Sequence, residues 1–413
     1  MDPTVCVEIN ITPGMADKLE AQITAITLTD LLCRMTRNIR LEMPDVAVAE
    51  GLPWSGRSLR DLCKERTEEL YPDGSQPPRD AVRVVKISIG GGEGDIIVHG
   101  AGWNAYVGKG PSPVLSVNDC NPVGPALAAI ICAAHLFNQG LRVPKKDILL
   151  NAWNWRLGMA TGVSLREAGD FDLGSIWFIG LGSVGSAAAY FLAMATRRFK
   201  PLLVDHDIVN IENLSRSPLF KSRHTGDFKV AAVEEFFREV GIHGTASDAK
   251  PFFESIALDR PRPQLIVSAA NEMNVRHAIE AMRPPLQIYG TTGPNYQAAM
   301  IRHIPLEEAC SCCLFPEKDQ PKTKCATAPD EAPAEVEVKV DAALPFLSFA
   351  AGLMAVAEIL KSQIPGFPFH TNRVIMNTFD EIFFQHAEIP KLPGCACGLL
   401  CAEDYEIFGD LGR

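Results

Sequence analysis

The chain has 413 residues, 47% of them hydrophobic and 22% charged, which supplies apolar side chains for two folded cores. Its formal net charge is −11, and without a basic run to offset phosphate repulsion this disfavours nucleic acid as a partner. Twelve cysteines with no secretory signal point to metal and thiol chemistry rather than to disulfides.

The N-terminus, Met1-Asp2-Pro3-Thr4, has neither the basic start nor the apolar centre of a signal peptide, so the expected location is cytoplasmic. Residues 82–89 read as a strand leading into Gly90-Gly-Gly-Glu-Gly94, and residues 95–98 as another strand. The apolar run 125–137 is too short to span a bilayer. After the aromatic run Trp153-Asn-Trp155 a domain boundary is expected near 158–172, giving domains over 1–165 and 166–413.

Residues 176–179 form an apolar strand, followed by the turn Gly180-Leu-Gly182-Ser-Val-Gly185 and an apolar helix from Ala187. A second strand, 201–204, ends at Asp205. This strand–turn–helix order suits a nucleotide. Glycines admit a close backbone approach, amides at the helix start face phosphate, and the carboxylate reaches a ribose hydroxyl. On these features alone NAD fits as well as ATP. The continuation favours ATP: Asp205-His-Asp207-Ile-Val, then Asn213-Leu-Ser-Arg216, then Gly226-Asp-Phe-Lys229. A triphosphate carries roughly four negative charges and needs an electrophilic α-phosphorus, so a fixed guanidinium and an ammonium make chemical sense.

Further along, residues 265–276 read as a strand carrying Asn271, with Glu272 on its opposite face. Cys310-Ser-Cys312-Cys313 holds a C-x-x-C pair, and Cys395-Ala-Cys397-Gly-Leu-Leu-Cys401 supplies a second cluster. Two distant thiolate pairs can close a tetrahedral zinc site, Zn²⁺ being held by Cys310, Cys313, Cys395 and Cys397. The single-residue gap of the second pair strains chelation and leaves Cys401 as an alternative ligand. Between the clusters, residues 316–341 are rich in proline and charge and read as a functional loop. Cys325 lies in it beside Lys322 and Lys324, cations that favour the thiolate, with Cys312 as the competing nucleophile. Residues 342–360 are long enough to cross a membrane but contain Pro345, Ser348 and Glu358, and read as a buried helix, so no membrane is expected.

The ordered motifs from Gly180 to Lys229 resemble the ThiF/MoeB and ubiquitin-activating enzyme superfamily. The resemblance implies an α/β fold with a Rossmann-like, doubly wound ATP-binding sheet. It implies that Gly180, Gly182, Gly185 and Asp205 hold ATP, with Asp207 in the same motif, and that Asn213, Arg216 and Lys229 line its phosphates. The position of Asn271 is an aspartate in that family, a ligand of Mg²⁺, and an amide binds the ion more weakly. A cysteine of the crossover loop, here Cys325, takes the activated acyl group in several members. The resemblance also implies, as substrate, a ubiquitin-like protein ending in glycine, and a conjugating enzyme downstream. The N-terminal part, with its Gly90–Gly94 turn, looks like a decayed, inactive copy of the adenylation domain. At this size the chain looks like the activating enzymes of bacterial ubiquitin-like conjugation operons, some of which act in antiviral defence. Pairing of two identical chains, a sulfur-carrier adenylyltransferase, an NAD-dependent oxidoreductase and a non-enzymatic scaffold stay open as alternatives.

Overall fold

The computed structural model describes residues 4–70, 82–114, 117, 120–165, 172–256, 262–293, 295–314 and 344–398. In the N-terminal half, β1 (Val5–Ile11) is almost wholly buried, as a strand in the middle of a parallel ladder must be. It pairs in parallel with β2 (Ile39–Glu42) and with β3 (Arg83–Ile89). The sheet continues through β4 (Ile96–Ala101), β5 (Asn104–Gly108), β6 (Ile148–Asn151) and β7 (Arg156–Leu157), in the order β2-β1-β3-β4-β5-β6-β7. The pairs from β4 onward are antiparallel.

The C-terminal half repeats this plan. β8 (Ser175–Ile179) is the central parallel strand, with β9 (Lys200–Val204) on one side and β11 (Leu265–Ser268) on the other. β12 (Leu286–Gly293), β13 (Gln297–His303), β14 (Arg373–Asn377) and β15 (Phe383–Ala387) follow, and β10 (Ala246–Asp248) is added beyond β9. The order β9-β8-β11-β12-β13-β14-β15 therefore matches the first sheet strand for strand, and the parallel and antiparallel pairs fall at the same places.

Helices match as well. Leu19–Leu32 joins β1 to β2 as Ser183–Ala195 joins β8 to β9, and Val123–Asn138 lies between β5 and β6 as Pro345–Ser362 lies between β13 and β14. The last two helices are apolar on nearly every side, which a helix can be only when surrounded by protein. They pack against each other, and one continuous core runs through both halves. The helix Pro345–Ser362 also packs closely on Ser183–Ala195, where a Cβ on Gly352 would sit 2.7 Å from the backbone nitrogen of Ala188.

The membrane-length helix is thus a core helix, 94% of it buried in the fold. Glu358 is buried in it without being orphaned. It accepts hydrogen bonds from Lys361 at 2.7 Å and from the Trp155 indole at 2.8 Å, and pairs with Arg302. Trp155, from the aromatic run of the N-terminal half, therefore ties the two halves together.

Two expectations need correction. The strand expected over 265–276 ends at Ser268, and a helix, Met273–Met282, follows. β8 turns away at Gly180, so nothing extends the ladder past the Ser268–Ile179 pair. Asn271 and Glu272 lie in the turn between strand and helix rather than on opposite faces of a strand. The Gly90–Gly94 turn follows β3, the partner of β11 in the matched order, and is not the counterpart of the Gly180 turn. That counterpart is the segment after β1, starting at Thr12 and Pro13.

Candidate functional site

In open parallel sheets ligands bind beyond the carboxyl ends of the strands, where the chain order reverses. Here that point lies between β8 and β11, and the turns that leave the two strands meet there. Gly180 has φ +80, and a Cβ on it would come 2.9 Å from the Ala270 nitrogen. On Gly185 a Cβ would strike the Gly180 carbonyl oxygen at 2.0 Å, so the helix start closes onto the turn only with glycine at both positions. Gly182, the residue before the helix Ser183–Ala195, has no protein atom within 4 Å of where a Cβ would be. It faces open space, and the first amides of the helix have no partners within it. An anion fits that opening.

Asp205 stands at the end of β9, buried to 9% exposure. One carboxylate oxygen accepts from the Leu181 amide at 2.5 Å and the other from the Asp207 amide at 2.8 Å. Burial raises its pKa, opposed by the Lys229 charge and these two amides. Sequence reasoning foresaw a ribose ligand. The side chain also braces the glycine turn, and each oxygen keeps a lone pair for a hydroxyl.

Lys229 opens the helix Lys229–Glu239 and is buried to 8% exposure. Its ammonium lies 2.6 Å from an Asp207 oxygen, and its amide donates to the Asp207 carbonyl at 2.9 Å. Asn213 closes the short helix Ile211–Leu214 against its own entry, accepting the Asn210 amide at 2.9 Å. Arg216 follows, half-buried, its amide donating to the Asn213 carbonyl at 3.2 Å. Asn271 is exposed in the turn beyond β11, and Arg276 holds that turn by donating to the Ala270 carbonyl at 3.2 Å. The carboxylates of Asp205 and Asp207 and the Asn271 amide are the oxygen donors that magnesium takes.

The helix Met273–Met282 leads from this turn towards the cysteines. Ser311 donates to the Arg276 carbonyl at 3.2 Å, and its amide donates to Glu280 at 3.4 Å. Burial would lift the Glu280 pKa, but His303 and the donors around it hold it below the ordinary value. The four expected thiols converge. Sγ–Sγ distances are 3.8 Å for Cys310–Cys313, 3.5 Å for Cys310–Cys395 and 3.6 Å for Cys313–Cys397. Zn–S bonds of about 2.3 Å at tetrahedral angles imply sulfurs about 3.8 Å apart, so the donor set fits zinc in a closed site. Both cysteines of the C-x-C pair belong to this cluster, despite the single-residue gap. Burial pushes the Cys313 thiol up to about 11 and Cys310 higher still. Cys312 is half-buried beside them, its pKa also raised by burial. Cys325, Lys322, Lys324 and Cys401 lie outside the described residues.

Sequence reasoning missed a buried cluster beside the Arg216 segment. Asp30, 1% exposed, accepts the Tyr190 hydroxyl at 2.5 Å and lies 3.1 Å from Arg66. Arg34 donates to the carbonyls of Ser217 and Pro218. The only signal in the chain was the Asp30–Arg34 spacing, one turn apart on a helix face.

A model of the ThiF family matches residues 171–398, more than half of the chain. The sulfur carrier protein ThiS adenylyltransferase of Escherichia coli strain K12 is 28% identical over 159 residues, covering 37% of this chain and 62% of that protein. An adenylyltransferase and sulfurtransferase uba4 of Emericella nidulans is 26% identical over 184 residues, covering 38% of this chain and 37% of that one. The chain thus spans about three fifths of the bacterial relative and little more than a third of the fungal one. Among solved structures, E. coli MccB with MccA-N7isoASN aligns at 16% identity and a TM-score of 0.42, over 55% of this chain and 67% of that one.

Proposed function

The chain belongs to the ThiF family, and from that premise we propose that it adenylates the C-terminal glycine of a small ubiquitin-like protein. The observation that carries the reading is the opening at Gly182, next to the Leu181 amide that Asp205 holds, with the Asp207–Lys229 pair following Asp205 in the chain. ATP would lie with its ribose at Asp205 and its phosphates over the glycine turn. A glycine carboxylate oxygen attacks the α-phosphorus, the bond to the bridging oxygen breaks, and pyrophosphate leaves. Lys229 exchanges its pairing with Asp207 for phosphate oxygens, and Arg216 balances charge on the departing group. Magnesium, when bound, neutralises phosphate charge, and Asn271 with the nearby carboxylates would hold it. Zinc at the four cysteines has no open position and would serve stability.

In the second step a thiolate, assigned to Cys325, attacks the acyl carbon, AMP leaves, and a thioester passes to a conjugating enzyme. The N-terminal half is the adenylation-like partner without a nucleotide site, so one cytoplasmic chain supplies both members of a pair. The relatives support a second reading in which the acceptor is a sulfur carrier, with no enzyme thioester on the path.

Pyrophosphate exchange into ATP tests the proposal. It should require the cognate modifier, and Arg216→Ala or Lys229→Ala should lower it by about 10²-fold or more. Wild-type exchange in both variants would remove these residues from the site, and tighter binding of NAD than ATP would remove the reaction. A reductant-sensitive adduct lost in Cys325→Ser, with exchange intact, supports conjugation. Robust exchange with no adduct under any condition leaves the sulfur-carrier reading.

A further inference from the structure

The N-terminal half reaches three of the segments that carry the nucleotide site. Arg34, two residues past the helix Leu19–Leu32, sends its guanidinium into the C-terminal half. Nε and Nη2 donate to the Ser217 carbonyl at 3.2 and 3.0 Å, and Nη2 donates to the Pro218 carbonyl at 3.2 Å. Nη1 donates to the Asp30 carbonyl at 2.6 Å, which fixes the plane of the group. Ser217 and Pro218 are buried and belong to no helix or strand. Ser217 is the residue after Arg216, and upstream the Asn213 carbonyl accepts the Arg216 and Ser217 amides.

The same buried cluster holds the other two elements. The Tyr190 hydroxyl, on the helix that opens at the glycine turn, donates to Asp30 at 2.5 Å. Burial beside that carboxylate pushes the phenol well above its ordinary range, so it remains a donor. Asp30 also pairs with Arg66 at 3.1 Å, and the Arg66 guanidinium stacks over Trp54 at 4.3 Å. Trp54 donates its indole N–H to Glu239 at 3.1 Å, at the far end of the helix that Lys229 begins.

We propose that Arg34 is a positioning residue for Arg216, so that phosphate binding in the C-terminal half depends on a guanidinium supplied by the N-terminal half. A planar fork is needed because the carbonyls of Ser217 and Pro218 must be met together and in one orientation. An ammonium has donors enough for both, but on its flexible stem they are not held in one plane against the Ser217, Pro218 and Asp30 carbonyls together. The proposal rests on the adenylation reading, with Arg216 acting on the phosphates. Its effect therefore falls on phosphate and not on the nucleoside.

The test measures affinity for ATP and for adenosine, with pyrophosphate exchange, on the full chain. Wild type is compared with Arg34→Met, Arg34→Lys, Arg216→Ala and the double variant Arg34→Met/Arg216→Ala. Arg34→Met should weaken ATP binding and exchange by about 10²-fold, the scale for a group displaced by an ångström, with adenosine affinity within about twofold. On the Arg216→Ala background it should add less than about threefold, because the group it positions is already gone. Equal losses for ATP and adenosine, or losses that multiply in the double variant, would overturn the proposal while leaving adenylation standing. If Arg34→Met does not fold, Arg34→Lys carries the same readouts and should lose ATP affinity in the same sense. Wild-type protein that binds ATP no better than adenosine would sink the adenylation reading itself.

Discussion

The two halves of the chain place their strands in the same order, yet the ends of their central strands are finished differently. In the C-terminal half the turn after β8 packs against the turn after β11, with the Ala269 and Ala270 backbone nearest Gly180, and leaves Gly182 facing open space. In the N-terminal half the turn after β1 closes on the Gly90 turn with side chains. The Thr12 hydroxyl donates to the Gly91 carbonyl at 2.7 Å, and Met15 fills the space where a Cβ on Gly90 would be. The segment after β1 begins with Pro13 in a short 3-10 turn, so it lacks the run of free amides that the Gly182 opening presents. One topology therefore serves as scaffold twice, and the two halves differ in the turns that finish their central strands.

Paired glycine substitutions should break that comparison most sharply. Gly185→Ala drives a Cβ against the Gly180 carbonyl oxygen and should reduce ATP binding by more than about 10²-fold. Gly14→Ala, in the matching turn of the other half, meets nothing within 4 Å and should leave binding within about twofold. Equal effects, measured by ATP titration, would mean that the nucleotide does not discriminate between the halves.

The cysteines provide the next contrast. Cys310→Ser should remove about one zinc per chain by elemental analysis and cost about 3 kcal/mol or more of stability. Cys33, Cys63 and Cys132 are buried in the N-terminal half, and Cys132→Ser should leave the metal content unchanged. A folded, reduced preparation without zinc would refute the metal assignment.

Gly182→Ala isolates the ligand from the fold. No protein atom opposes the added methyl, so the melting temperature should stay put while ATP affinity drops by about tenfold. Unchanged affinity would move the phosphates away from this turn. The smallest effect is expected at Asn271. A carboxylate there adds charge to an oxygen-only site, so Asn271→Asp should lower the magnesium concentration that gives half-maximal exchange. Unaltered magnesium dependence would assign the ion to other groups.

Much of the site was legible because its determinants are local. Gly180, Gly182 and Gly185 are demanded by a turn a few residues long, and Asp205 and Lys229 stand at element ends marked by apolar runs. The four cysteines were legible from chemistry, since thiols of that number in two groups have few other uses. Where β11 stops was not legible: residues 265–270 stay apolar or small, and the end of the strand coincides with the departure of β8 at Gly180. The counterpart of the glycine turn was misplaced for a similar reason. Gly90–Gly94 is richer in glycine than the segment at Thr12, and only strand order says which of them follows the central strand.

By itself, then, the sequence determined the glycine turn, the thiol set and the buried helices, each a matter of short-range geometry or composition. The tertiary structure alone decided that Arg34 meets the carbonyls of Ser217 and Pro218, more than 180 residues away along the chain. It also decided that Tyr190 meets Asp30 across 160 residues. Such pairs leave no periodic trace, because a buried polar group takes whatever partner the packing of two layers brings within about 3 Å.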